Sequence, residues 1–287
     1  MLAIYKKEMR SYFTSIIGYL FMAFFLVILG IYHVVYNMVS GYADFAYALS
    51  GIVMVFVLLV PMMTMRLMAE ENRQKTDQLL FTSPLSTTKI ILGKYLAVLS
   101  VFGIVMLITC FYPLVLTEFG EINLPYAYTA ILGFFLLGAA YMAIGLFISA
   151  MTESQVFAAI ITFVVVLVTC LMDGIVSIIP TDNRTAWIIF SVLVLILVIV
   201  LYLMMHNVTV SLGIGLVGEV ALAILYLVHP SFYDGSVSAF FDWFSVVRRY
   251  DQFTSGILNL SSVIYYVSLC VLFVFLTIQA IKKRRWS

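Results

Sequence analysis

The sequence predicts an all-α integral membrane protein, a polytopic bundle of about eight transmembrane helices with both termini cytoplasmic. Three observations predict it. Of the 287 residues 64% are apolar and only 10% charged, with a mean hydropathy of +1.14, whereas a soluble domain carries about a quarter charged residues. The apolar residues gather in runs that match the roughly 20 helical residues needed to cross a bilayer core of about 30 Å. Helices are the form expected there, because backbone N–H and C=O groups find no water in lipid. Finally, the charges are grouped between the runs, and their sign depends on which gap they occupy.

The runs are 16–36, 45–65, 95–117, 126–151, 156–179, 187–205, 208–228 and 260–281. The first follows Lys6, Lys7 and Arg10 as a signal peptide would, but it is too long and no small-residue cleavage site follows, so it is expected to stay. Pro61 and Pro113 fall within runs and predict kinks. His206-Asn207 leaves a minimal turn, so 187–228 reads either as two crossings or as a re-entrant pair. Placing both ends inside puts Lys6, Lys7, Arg10, Arg66, Arg73, Lys75, Lys89, Lys94, Lys282, Lys283, Arg284 and Arg285 on the cytoplasmic side, twelve of the fifteen basic residues. Arg184, Arg248 and Arg249 remain outside. The chain reads as a single transmembrane domain over 1–287, with no segment long enough for a soluble catalytic domain.

Net charge is +1, which excludes a strongly basic nucleic-acid binder. Cys110, Cys170 and Cys270 lie in apolar runs without CxxC spacing, so neither a disulfide framework nor a zinc site is expected. Three scattered histidines predict no metal centre. No G-x-x-x-x-G-K-[ST] loop is present: Gly93-Lys94-Tyr95 has no glycine five residues earlier and ends in tyrosine.

The most informative stretch is 66–94, RLMAEENRQKTDQLLFTSPLSTTKIILGK. Glu70 to Phe81 has helical character, Thr82-Ser83-Pro84 breaks it, and a second helix is expected from about Ser86-Thr87-Thr88 into the third span. Leu79, Leu80, Phe81 and Leu85 form an apolar strip, which alone reads as a surface lying on the membrane or on the bundle. The order Ala69-Glu70-Glu71…Thr76-Asp77-Gln78-Leu79-Leu80…Ser83-Pro84-Leu85-Ser86…Lys89-Ile90…Gly93-Lys94 resembles the loop between the second and third spans of ABC-2-type exporter permeases, closest to the gliding-motility and copper-enzyme-maturation group. Lys6-Lys7-Glu8-Met9-Arg10-Ser11-Tyr12-Phe13-Thr14-Ser15 looks like that family's amphipathic connecting helix, here 1–15. Tyr265-Tyr266…Phe273…Phe275-Leu276-Thr277…Lys282-Lys283-Arg284-Arg285-Trp286 looks like its last span and basic tail.

The resemblance implies a six-span core with 187–228 inserted as an extra apolar hairpin. It implies a permease subunit in the cell membrane that forms the translocation pathway, pairs with a second permease subunit, identical or similar, and couples to a separate ATP-binding subunit holding ATP and magnesium. The chain itself then binds no cofactor and is not an enzyme. The coupling contact implied is polar at Glu71, Arg73, Lys75, Thr76, Ser83 and Lys89, with Leu79, Leu80, Phe81 and Pro84 as an apolar plug. Two departures stand out: a glycine often precedes the loop threonine in the family, where this chain has Lys75, and six spans are usual.

Polar residues inside the runs need partners. Glu219, beside Gly213, Gly215 and Gly218, reads either as a proton- or substrate-sensing group or as an acid bonded to a neighbouring helix through the close approach those glycines allow. Asp173 reads either as lining an exit vestibule or as sitting at headgroup level. The stretch 229–259 carries Phe232, Tyr233, Phe240, Phe241, Trp243, Phe244, Tyr250 and Phe253 and suits short interfacial helices; the resemblance implies re-entrant helices there. A rival class is a partner-independent channel or an intramembrane enzyme. Glu70-Glu71 with Lys75 approaches the paired-glutamate motif of CAAX-type proteases, and His33…Asn37 has the spacing of that family's second histidine motif. These groups fall at opposite ends of spans, about 30 Å apart, where catalysis needs about 3 Å.

Overall fold

The computed structural model describes residues 1–42, 44–75, 86–178, 182–205 and 208–286. Every regular element among them is helical. In order these are α1 (Leu2–Thr14), α2 (Ile16–Tyr32) continued by a π-helical turn (His33–Val39), α3 (Phe45–Thr64), α4 (Ala69–Gln74), α5 (Thr87–Thr109), α6 (Phe111–Leu116), α7 (Leu124–Met151), α8 (Gln155–Ile178), α9 (Asn183–Met205), α10 (Val208–Val228), a 3₁₀ turn (Pro230–Tyr233), α11 (Ser236–Asp242), α12 (Arg248–Thr254) and α13 (Leu260–Trp286). Among the described residues seven stretches are long and apolar enough to cross a membrane: Ile16–Val39, Phe45–Gln74, Thr87–Leu116, Leu124–Met151, Gln155–Ile178, Ser211–Val228 and Leu260–Lys283. The apolar part of α9, Asn183–Ile199, is shorter. The protein is a polytopic helical membrane protein.

Local chemistry explains the helix ends. Asp44 starts α3 by accepting the Ala46 N–H at 2.8 Å, and Asn123 accepts from Tyr126 N–H at the start of α7, where Pro125 occupies the first turn. Pro61 is accommodated inside α3, and the third span breaks at Cys110 before α6, which carries Pro113. Of the expected Glu70–Phe81 helix, α4 ends at Gln74, where Lys75 turns the chain into the left-handed region at φ 55°; positions 76–81 and the expected break at Thr82-Ser83-Pro84 lie outside the described residues. The second helix begins at Thr87 with Ser86 as its extended N-cap, as the Ser-Thr-Thr run predicts. Between α10 and α13 the chain folds into the 3₁₀ turn, α11 and α12.

The chain divides into two compact units, Met1–Cys170 with Val246–Ser287, and Leu171–Ser245. In the first unit α7 is the centre, packed by α3, α5, α12 and α13. Its middle is nearly all buried, from Leu137 through Gly145. Phe21, Phe25, Phe56, Phe102 and Phe134 close into one aromatic cluster, with neighbouring centroids 5.1 to 6.5 Å apart. Gly138 makes this possible, since a Cβ there would collide with the Phe102 ring. By contrast α8 buries only the stripe Ala158, Thr162 and Val166, at helical spacing. One turn further, Thr169 Oγ1 donates to Tyr141 Oη at 3.1 Å.

In the second unit α9 and α10 pack against each other. Ala186, Tyr233 and Val237 form its buried nucleus, surrounded by Trp187, Phe190 and Tyr226. The Tyr233 hydroxyl donates to the Leu222 carbonyl at 2.9 Å.

Candidate functional site

The charged end of the first unit is where the 66–94 loop leaves and rejoins the bundle. Lys94, at the start of the third span, has a side chain only 2% exposed. A buried ammonium is tolerable only if its donors are matched. They are: Nζ lies 3.0 Å from Glu8 Oε1, 3.0 Å from Glu71 Oε1 and 2.8 Å from the Leu67 carbonyl. Lys7 Nζ adds a bond of 3.1 Å to the same Glu71 oxygen. Two ammoniums thus balance two carboxylates contributed by α1, α4 and α5. Burial, the largest influence, lowers the Lys7 pKa, but Glu71 and then Glu8 raise it by more, leaving it above its ordinary 10.5. Lys7 therefore stays charged at neutral pH.

The base of the loop is also tied to the end of α7. Ser149 Oγ accepts the N–H groups of Met68 and Ala69, each at 3.1 Å, and donates to the Met65 carbonyl. It supplies the cap that Met68 cannot give α4. Asn72 Nδ2 donates to the carbonyls of Ala150 and Thr152, at 3.3 and 3.1 Å. On the other flank the Tyr12 hydroxyl donates to the Met63 carbonyl at 2.9 Å. Burial, with the Glu8 charge, holds that phenol far above its ordinary value, so it acts as a neutral donor.

Of the loop residues singled out in the sequence, Glu71 lies in this network, while Arg73, Lys75 and Lys89 are exposed. Lys75 adopts φ 55°, a left-handed conformation that glycine enters without the Cβ penalty. Thr76, Leu79, Leu80, Phe81, Ser83 and Pro84 lie outside the described residues. Sequence reasoning missed Lys94, Glu8, Lys7, Ser149 and Asn72 as a group. One signal was available: Lys94 opens directly onto the apolar run Tyr95–Val101, and a cation at such a boundary either snorkels or is paired.

In the second unit Glu219 accepts a hydrogen bond from Ser191 Oγ across the α9–α10 pair, at 2.9 Å. Gly218 beside it brings the helices close, since a Cβ there would stand 3.1 Å from Val194 Cγ1. Glu219 is therefore bonded to the neighbouring helix α9. Asp173 is half-buried and accepts from Ser245 Oγ at 2.9 Å.

The protease constellation is not assembled. His33 Nδ1 lies 3.2 Å from Asn37 Oδ1, and Asn37 Nδ2 donates to the carbonyls of Tyr42 and Asp44, closing the π-helical turn beside the start of α3. Glu70 lies past the other end of α3, paired with Arg66 at 2.8 Å. The 20 residues of α3 separate them by about 30 Å. Among the described residues no group of three His, Cys, Asp or Glu is placed to hold a metal.

No curated protein and no solved structure matches the chain. The family model described as ABC-2 family transporter protein matches residues 31–278, from the end of the first span to the last. With that match across most of its length, on an all-helical fold of membrane-crossing helices, the chain belongs to the ABC-2 family of transporter proteins.

Proposed function

We propose that the chain is the pathway-forming permease subunit of an ATP-driven exporter in the cell membrane, with both termini cytoplasmic. Its 66–94 loop docks on a separate ATP-binding subunit, which holds ATP and magnesium, and it works beside a second permease subunit. The permease is then a transport component, and hydrolysis belongs to the partner. The observation that carries this reading is the construction of the loop base. Glu71 and Lys94, near the two ends of the loop, meet at 3.0 Å, and Ser149 and Asn72 fasten the same base to α7. A loop with both ends fixed to the helices can pass a push from a docked partner into them as near-rigid bodies.

At the contact, Glu71, Arg73, Lys75, Thr76, Ser83 and Lys89 supply polar groups, and Leu79, Leu80, Phe81 and Pro84 the apolar plug. Rim charges contribute little to such contacts, whereas truncating a buried apolar anchor costs about 2 kcal/mol or more. Leu80→Asp should therefore uncouple ATP turnover from transport far more severely than Lys89→Ala. Wild-type coupling in both variants would sink the docking assignment. Asp173 stands as a candidate pathway residue, and Glu219 as an intramembrane polar group that joins α9 to α10.

A further inference from the structure

The network around Lys94 does more than close the loop. Its three acceptors come from three places in the chain: Glu8 on α1, Leu67 just after the second span, and Glu71 on α4. Alongside it lies a cavity of about 290 Å³ lined by polar groups including Ser11, Ser15, Arg66 and Gln74. At this level α1 meets α3 through the Tyr12 hydroxyl bonded to the Met63 carbonyl, and is joined to α4 through charges. Elsewhere α1 is seated on α5, with Ile4 buried and the Tyr5 hydroxyl donating to Ser100 Oγ at 3.0 Å. Its far end passes through Ser15 directly into the first span.

We propose that Lys94 is the positioning residue that makes α1 part of the coupling lever. Its ammonium fastens the two ends of the 66–94 loop to each other and both to α1, so a push on the loop displaces α1 and the start of the first span with it. The charge balance shows why this one group matters. Without Lys94, Glu8 and Glu71, each held 3.0 Å from the same nitrogen, face one another with Lys7 alone to offset them. A buried ion network that loses one member is far weaker than one left whole. This inference rests on the exporter reading, because the push comes from the ATP-binding subunit.

Two measurements test it. Hydrogen–deuterium exchange on the chain alone, in mild detergent, reads the clasp without any partner. Lys94→Met should raise exchange at least about tenfold in both 2–14 and 69–75, while Glu8→Gln should raise it in 2–14 only. Unchanged exchange of α1 in both variants would overturn the clasp. The second measurement uses the complex with the ATP-binding subunit, spin-labelled after Leu2→Cys and Phe119→Cys, two positions 72% and 74% exposed. Magnesium-ATP should shift the label distance in the parent and in Lys94→Arg. The shift should be absent in Lys94→Met, although that complex still hydrolyses ATP within about twofold of the parent. An α1 that moves equally in Lys94→Met, or fails to move in the parent, would overturn the lever. A wild-type chain that binds no ATP-binding subunit would overturn the exporter reading instead, which the exchange measurement on the isolated chain tells apart from a failed clasp.

Discussion

Ser149 stands where the fourth span ends and the loop after the second span begins. One hydroxyl serves two otherwise orphaned N–H groups, of Met68 and Ala69, and one carbonyl. Buried donors left without partners cost about 1–3 kcal/mol each. Ser149→Ala should therefore lower thermal stability in detergent clearly, whereas Ser268→Ala, at an exposed helix position bonded only to its own turn, should not. Equal melting temperatures would contradict the capping role. Lys75 gives the opposite prediction. A non-glycine residue in the left-handed region is strained by about 1 kcal/mol, so Lys75→Gly should be neutral or stabilising, read by the same melt. Side chains of this kind were hidden from the sequence. Lys94 reads there as one more loop cation, and its partners Glu8 and Glu71 lie 86 and 23 positions away, brought together only by tertiary packing. The left-handed backbone at Lys75 was equally hidden, because it is a conformational feature and not a residue pattern.

Among the elements, the apolar spans were legible because length and hydropathy alone dictate them. So was the helix start at Ser86-Thr87, where extended backbone gives way to helix. The end of α4 at Gln74 was not, since it follows from the left-handed backbone at Lys75. Nor was the π-helical end of the first span, which Asn37 stabilises by bonding carbonyls five and seven residues on. The packing of α7 depends on small residues at its contacts. Gly138→Leu would drive a side chain into the Phe102 and Phe56 rings. Overpacking of this kind costs about 1–3 kcal/mol or more. Folded yield by size-exclusion chromatography should drop sharply, while Gly174→Ala, with open space around it, should leave yield unchanged. Similar yields would mean that α7 is not the centre of the core.

For the whole molecule, a net charge of +1 conceals a strong separation. The loops assigned to the cytoplasm carry twelve basic residues against Glu8, Glu70, Glu71, Asp77 and Glu153, and the rest of the chain is predominantly acidic. That separation underlies the proposed orientation, and it gathers the material for the Lys94 network at the end where the loop projects. The ABC-2 family match over 31–278 fixes what kind of protein this is, and the loop base accounts for how an external ATPase could act on it. The most direct test is purification of the tagged chain from its native membranes in mild detergent, with quantification of co-eluting ATP-hydrolysing protein. A stoichiometric ATP-binding subunit should co-elute, lost on Leu80→Asp and retained on Lys89→Ala. A chain that elutes without any such subunit, or one whose association is indifferent to Leu80→Asp, would contradict the proposed function.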